Sequence, residues 1–257
     1  MILRRRAGCK VRGDCNGAFP MKGHPSVRSV VASGEFGDTA VERTTLAAND
    51  GKNMRYKCVL LFGAPGSGKG TQGKIIGTIP GFFHTACGDI FRSLDLSSEM
   101  GRIFWEYSSR GQLVPDEFTV KLWKQYIKGM ELIQQFRPMT EILVLDGIPR
   151  NVEQARLLED TLDVAKIIHL QCSDLAKMVE RLRRRALKEN RFDDANDDVI
   201  QKRLMVYDVE TKPVLDFYKP EKVAKIDATM SQIRVLSEII RILVPLREDN
   251  DGPVSRP

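Results

Sequence analysis

Gly63-Ala64-Pro65-Gly66-Ser67-Gly68-Lys69-Gly70-Thr71-Gln72 is the stretch that decides how this chain folds. It follows directly on an apolar run, Tyr56-Lys57-Cys58-Val59-Leu60-Leu61-Phe62, which reads as a buried strand. A strand, a Gly-rich turn closing on Gly68-Lys69 and then a helix is the context a phosphate-binding loop requires. Glycines carry no Cβ, so successive backbone N–H groups can converge on phosphate oxygens. The helix that follows offers unpaired N–H groups and the positive end of its dipole. Lys69 adds a mobile point charge for β- and γ-phosphates. Gly63 to Lys69 fits the spacing G-x-x-x-x-G-K, but the next residue is Gly70, and the hydroxyl comes one place later, at Thr71.

Outward from the loop, short apolar strands alternate with amphipathic helices. Strands are expected at 56–62, 82–84, 142–145, 165–170 and 223–226. Helices are expected at 69–79, 90–94, 100–110, 117–134, 152–159, 174–186, 198–218 and 231–243. Such alternation implies an α/β fold with a parallel sheet covered on both faces. Ligands then bind beyond the carboxyl ends of the strands, where both the loop and Asp146 fall. Ser173 and Asp197 read as N-caps, and Pro213 should kink the helix at 198–218 or end its first half. Leu204, Tyr207, Val214 and Tyr218 are core candidates in that helix. Phe118, Leu122, Tyr126 and Met130 recur every four residues, a packing stripe rather than a cofactor box.

At 257 residues the chain is one large domain or two small ones. It is 42% apolar and 29% charged, as a soluble globular protein is, and no apolar run approaches the roughly 20 residues that span a membrane. The net charge of +6 is uneven: residues 1–53 hold nine Lys/Arg against five Asp/Glu, whereas the rest holds 31 against 29. A nearly balanced body gives no reason to expect nucleic acid as a partner. Cys9, Cys15, Cys58, Cys87 and Cys172 include no C-x-x-C pair, which argues against a disulfide framework or a structural zinc site. Cys58 and Cys172 read as small buried apolar residues, and the set suits a reducing, cytoplasmic setting.

Residues 1–53 lack apolar periodicity and are rich in Gly, Ser, Arg and Ala. They read as a disordered extension or a misassigned start, with Met54 standing just before the first strand. The Arg-rich, acid-poor beginning leaves an organelle transit peptide open as the alternative. Residues 246–257 read as a flexible tail.

Five further segments follow the loop in order: His84-Thr85-Ala86-Cys87-Gly88-Asp89-Ile90-Phe91-Arg92, Gly111-Gln112-Leu113-Val114-Pro115-Asp116, Asp146-Gly147-Ile148-Pro149-Arg150 with Gln154, Arg181 to Arg185 with Arg191-Phe192-Asp193-Asp194, and Lys202-Arg203-Leu204. Together with Gly70-Thr71 after the lysine, they resemble the adenylate kinase family of nucleoside monophosphate kinases, over essentially the whole of residues 54–243. Only five residues separate Arg185 from Arg191, which resembles the short-lid form of that family.

The resemblance implies a five-stranded P-loop kinase fold in residues 54–245, with an acceptor-binding segment at about 86–115 and a lid at about 185–193. It implies Mg2+-dependent phosphoryl transfer, ATP + AMP ⇌ 2 ADP, by a monomer. Gly66, Ser67, Gly68, Lys69, Gly70, Thr71, Arg181 and Met230 would hold ATP, with Arg181 stacking on or bordering its adenine. Cys87, Arg92, Gln112, Leu113, Val114, Gly147, Ile148, Pro149, Arg150, Gln154, Arg191 and Arg203 would hold AMP. Lys69, Arg92, Arg150, Arg185, Arg191 and Arg203 would carry the transfer, because arginine's planar fork grips phosphate oxygens in two places and stays charged. Asp146 would hold the water shell of Mg2+; the plain alternative is a strand-end Asp that caps a turn. Asp89 would orient Arg92, Asp193 and Asp194 would steady the lid arginines, and His84 would be structural.

Gln154 stands where the family's adenylate members carry Gln and its uridylate/cytidylate relatives more often Asn, so the resemblance implies adenine, whose N6 donor and N1 acceptor an amide can match. Cys87 stands where the family usually has Thr, and Asn151 also occurs in pyrimidine relatives, so a UMP/CMP kinase is the rival within the class. An inactive ATP-binding module is the rival outside it, yet such a module has no use for the paired arginines. An RNA-binding reading of the basic segment needs aromatic platforms among its arginines, and residues 181–191 contain none.

Overall fold

The strand that leads into the glycine loop, β1 (Tyr56–Phe62), lies in the middle of a five-stranded sheet of order β2-β3-β1-β4-β5. The computed structural model describes residues 55–189 and 196–251. The expectations for residues 1–53, for Arg191, Asp193 and Asp194, and for the end of the tail lie outside them. β2 (Phe82–Ala86), β3 (Ile142–Asp146), β4 (Leu162–Gln171) and β5 (Val223–Asp227) all run parallel to β1. Each strand contains the residues expected of it, and four extend further.

A strand inside a parallel sheet must be apolar on both faces, and β1 is. Cys58, Leu60 and Phe62 enter one core with Leu143, Leu145 and Ile167, while Val59 and Leu61 enter the other with Ile142, Val144 and Ile168. α1 (Lys69–Ile76) and α9 (Gln232–Asp251) cover the second face through Ile76, Val235, Ile239 and Leu243. The first face is covered by α2 (Cys87–Arg92), α4 (Asp116–Leu132), α5 (Val152–Leu157) and α8 (Val214–Phe217). α3 (Glu99–Ser108) packs Met100 and Phe104 against that core. α6 (Leu175–Glu189) and α7 (Asp197–Val206) share a small cluster of Met178, Leu182, Ile200 and Leu204.

The register sets the site. Leu61 pairs with Asp146, Ala86 pairs with Asp146, and Phe62 pairs with His169. The ends of β1, β2 and β3 are therefore level, and the turns that follow them open on one edge of the sheet.

Several local expectations change. The stripe on α4 is rotated: Trp123 and Ile127 are buried with Val120 and Leu122, whereas Phe118, Tyr126 and Met130 flank them. Asp174, not Ser173, caps α6, accepting from the Lys177 N–H at 2.9 Å. Asn196, not Asp197, caps α7, accepting from the Asp198 N–H at 2.8 Å. Cys58 is buried as expected, but Cys172 is only half-buried. The helix expected at 198–218 is interrupted. α7 passes into a π turn, Tyr207–Thr211, in which the Lys212 N–H reaches back to the Tyr207 carbonyl, and Pro213 then leads α8. Pro213 has no N–H to continue the regular ladder, and the wider turn absorbs the break. The tail is helical as far as Asp251, because Leu246 packs on the core and Arg247 donates to the Thr140 carbonyl. Pro245 sits on the exposed side of α9, where water can serve the carbonyl it leaves unbonded.

Candidate active site

The glycine loop wraps onto itself before α1 begins. Gly66 and Gly68 take positive φ angles of 83° and 100°, which side chains disfavour. Gly66 also lies so close to α6 that a Cβ there would stand 2.7 Å from the Met178 carbonyl oxygen. Inside the loop, the Lys69 ammonium donates to the carbonyls of Gly63 at 2.5 Å and Ala64 at 3.2 Å. Ser67 is buried, and its hydroxyl has no hydrogen-bond partner.

Burial lowers the Lys69 ammonium to about 8; Asp146 opposes the shift, and Arg150, Arg185 and Arg203 add to it by repulsion. Those four residues arrive from the end of β3, the turn beyond it, α6 and α7. They share with Lys69 a cleft of about 610 Å³. A site with this many cations is built to receive several anionic groups at once.

One wall of the cleft comes from α2 and the segment before α4. Arg92 lies one turn beyond Asp89 and pairs with it at 2.5 Å, as expected. Cys87, Gln112, Leu113 and Val114 line the same wall. Burial pushes the Cys87 thiol up to about 11, so at neutral pH it is a small, uncharged group. Gly147, Pro149 and Arg150 form the floor, and the Arg150 Nε donates to the Gly147 carbonyl at 3.0 Å. Ile148 departs from its expected role. Its side chain does not line the cleft but belongs to the core beneath it, so it supports the turn. Gln154 is expected to face a base, and it lines the cleft while also being held from behind. Its Oε1 accepts from the Arg150 N–H and its Nε2 donates to Asp116 Oδ1, each at 2.8 Å.

At the other end, the Arg181 guanidinium bridges the carbonyls of Gly66 at 3.4 Å and Ala228 at 3.3 Å, beside Met230. This joins the loop to the turn after β5. Arg183 pairs with Asp197 on the exposed surface and does not line the cleft, whereas Arg184, exposed and paired with Glu180, lines it with Arg181 and Arg185. Thr71 also reaches the cleft.

Asp146 is 9% exposed, with Oδ2 beside Gly70. Among the described residues, no group of three or more His, Cys, Asp or Glu could hold a metal ion. A single carboxylate suits an ion that keeps most of its water and takes its other ligands from phosphate.

Tyr207, Thr211 and Gln232 line the cleft and were not expected there. Tyr207 follows Arg203 by four residues, one helical turn, and that spacing was the available signal. A second histidine, His169, bonds Tyr207. His84 packs against Gly73 of α1 and Gly77 just beyond it, a structural position, and burial lowers its pKa.

Comparison with known proteins agrees with this geometry. The family model "Adenylate kinase" matches residues 61–223. The chain is similar to a protein named adenylate kinase in a Cyanothece species, 35% identical over 196 residues, which cover 74% of this chain and 96% of that one. Another so named, in Parabacteroides distasonis, is 36% identical over 169 residues, covering 63% and 84%. A third, in Chloroherpeton thalassium, is 32% identical over 218 residues, covering 72% and 97%.

Proposed function

The chain belongs to the adenylate kinase family, and we propose the division of labour by which its cleft moves a phosphoryl group between ATP and AMP. It is a phosphotransferase, and its reaction is ATP + AMP ⇌ 2 ADP. A phosphate oxygen of AMP forms the new bond to the γ-phosphorus as the bond to the β-phosphate oxygen breaks. The nucleophile is already an anion, so no general base is required. What the protein must supply is position and compensating charge.

The glycine loop and Lys69 hold the β- and γ-phosphates of ATP, and the buried Ser67 hydroxyl faces the same cradle. Arg181 and Met230 border the donor adenine. Arg92, set by Asp89, and Arg150, set by Gly147, hold the AMP phosphate. Arg185 and Arg203 lie between the two, and Arg191 belongs with them by its place in the motif. A bound Mg2+ would neutralise charge on the β- and γ-oxygens, with Asp146 holding it through water. Cys87, Gln112, Leu113, Val114 and Gln154 receive the AMP base. Closure of the short lid would exclude water and so suppress ATP hydrolysis.

The observation that carries this reading is the convergence of Asp146, Arg150, Arg185 and Arg203 around Lys69. We also assign the catalytic unit to residues 54–245, working as a cytoplasmic monomer. The free thiols of Cys58, Cys87 and Cys172 suit a reducing setting, and none of the described helices is long and apolar enough to cross a membrane. A chain that begins at Met54 should turn over as the full chain does. The central test is steady-state transfer from ATP to AMP, UMP, CMP and GMP. AMP should be the preferred acceptor, and preference for another monophosphate would overturn the assignment.

A further inference from the structure

Gln154 stands in a network that leaves its amide no freedom to turn over. Asp116, the first residue of α4, accepts from Gln154 Nε2 through Oδ1 at 2.8 Å. The same carboxylate is held by Asn151 Nδ2, at 2.9 Å to Oδ1 and 3.0 Å to Oδ2. Asn151 is in turn fixed as the cap of α5, its Oδ1 accepting from the Gln154 N–H at 2.8 Å. On the other side, Gln154 Oε1 accepts from the Arg150 N–H at 2.8 Å. Turning the amide over would set its NH2 against that N–H and its oxygen against the Asp116 carboxylate. Both new contacts would repel, and Gln154 is 1% exposed, so water could not relieve them.

We propose that Asp116 and Asn151 are positioning residues that determine which base the acceptor site takes, by locking the polarity of the Gln154 amide. The proposal rests on the reading that Gln154 meets the acceptor base. An amide oxygen has two lone pairs and an amide nitrogen two hydrogens. The network uses one of each, leaving one acceptor at Oε1 and one donor at Nε2. Adenine presents a donor at N6 and an acceptor at N1, which this locked edge complements. Guanine presents an acceptor at O6 and a donor at N1–H, the reverse order. With its phosphate held by Arg92 and Arg150, a guanine nucleotide cannot turn around to compensate. An amide free to turn would accept either purine, so the discrimination belongs to the lock as much as to the glutamine.

The test compares kcat/KM for AMP and for GMP, with ATP as donor, in the full-length enzyme and in Asp116→Ala and Gln154→Ala. Asp116 Oδ1 accepts from both Gln154 Nε2 and Asn151 Nδ2, so an amide there could serve both and keep the lock, whereas alanine cannot. In Asp116→Ala, Gln154 Nε2 loses its acceptor and the carboxylate no longer repels a turned amide, so the preference weakens. The AMP-to-GMP ratio should narrow by about tenfold or more, while the KM for ATP changes little. Equal losses for AMP and GMP, with the ratio intact, would show that Asp116 is merely structural and overturn the lock, even where Gln154→Ala narrows the ratio. If Gln154→Ala leaves the ratio unchanged, the underlying reading of Gln154 fails and the lock fails with it.

Discussion

The Tyr207 hydroxyl and the Nε2 of His169 lie 3.0 Å apart, tying the end of the arginine-bearing helix α7 to strand β4. Both residues are buried. Burial, helped by the ammonium groups of Lys225, Lys212 and Lys69, holds His169 down at about 4. Burial and the charge of Asp208 push Tyr207 up to about 12. The contact therefore joins two neutral groups across the whole physiological range, behind a cleft crowded with charge.

The burial of His169 makes stability depend on pH in a defined direction. In the unfolded chain His169 takes up a proton near 6.5, whereas in the fold it does so near 4. Its neutral form therefore stabilises the fold fully above about 6.5, and that contribution is lost as pH falls towards 4. The loss is at most ~3 kcal/mol at 1.36 kcal/mol per unit. Urea unfolding of the wild type and of His169→Gln, compared at pH 7.5 and pH 5, should show a steeper acid loss in the wild type. Parallel losses would contradict the argument.

Lys69 is depressed to about 8 before any phosphate arrives. The kcat/KM for ATP should therefore fall above pH 8, because it reports the free enzyme. In kcat the same limb should move to higher pH, since bound phosphates favour the ammonium. Lys69→Met should lower kcat by about 10² or more with little change in thermal midpoint. A free-enzyme limb at the ordinary lysine value, or near-normal turnover of the variant, would remove Lys69 from its assigned place.

Two arginines on neighbouring helices should behave oppositely. Arg203 reaches the cleft beside Lys69, whereas Arg183 pairs with Asp197 on the exposed surface. Arg203→Ala should reduce kcat by about 10³–10⁵, the range for an arginine that stabilises the transferring phosphoryl group. Arg183→Ala should turn over at close to the wild-type rate. Single-turnover measurements on both variants decide the matter, and comparable defects would argue against the separation of cleft from surface arginines.

The described cysteines should differ in reactivity, because the thiolate is the reactive form. Burial pushes Cys87 up to about 11 and Cys58 higher still, while Cys172 is half-buried. Iodoacetamide at pH 7.5 should label Cys172 before Cys87 and Cys58, as peptide mass mapping would show. Early loss of unmodified Cys87 would mean that its wall of the cleft opens far more than its burial indicates.

Much of this architecture could be read before any coordinates. β1 is a run that nothing but a buried strand accommodates, and the loop after it has few alternatives. Arg92, Arg150, Arg181, Arg185 and Arg203, singled out by their motifs, all line the cleft. The errors share a cause, which is that linear spacing does not say what stands opposite. Ile148 is adjacent in sequence to cleft residues, yet the turn buries it in the core. Trp123 and Ile127 were missed because the apolar residues of α4 cover more than one stripe, and the sheet chooses the one it covers. The partnership of Gln154 with Asp116 spans 38 residues, and that of His169 with Tyr207 also spans 38. No local pattern announces contacts of that range.

The π turn at Tyr207–Thr211 has a consequence for the phasing of the chain. It inserts one residue between two helical segments with separate obligations: Arg203 must reach the cleft, and Val214, 0% exposed, must enter the core. Deleting one residue there would rotate one segment by about 100° relative to the other, so that either the arginine or the valine would point the wrong way. The irregular turn thus acts as a gear between a half that answers to substrate and a half that answers to packing, and each can keep its own timing.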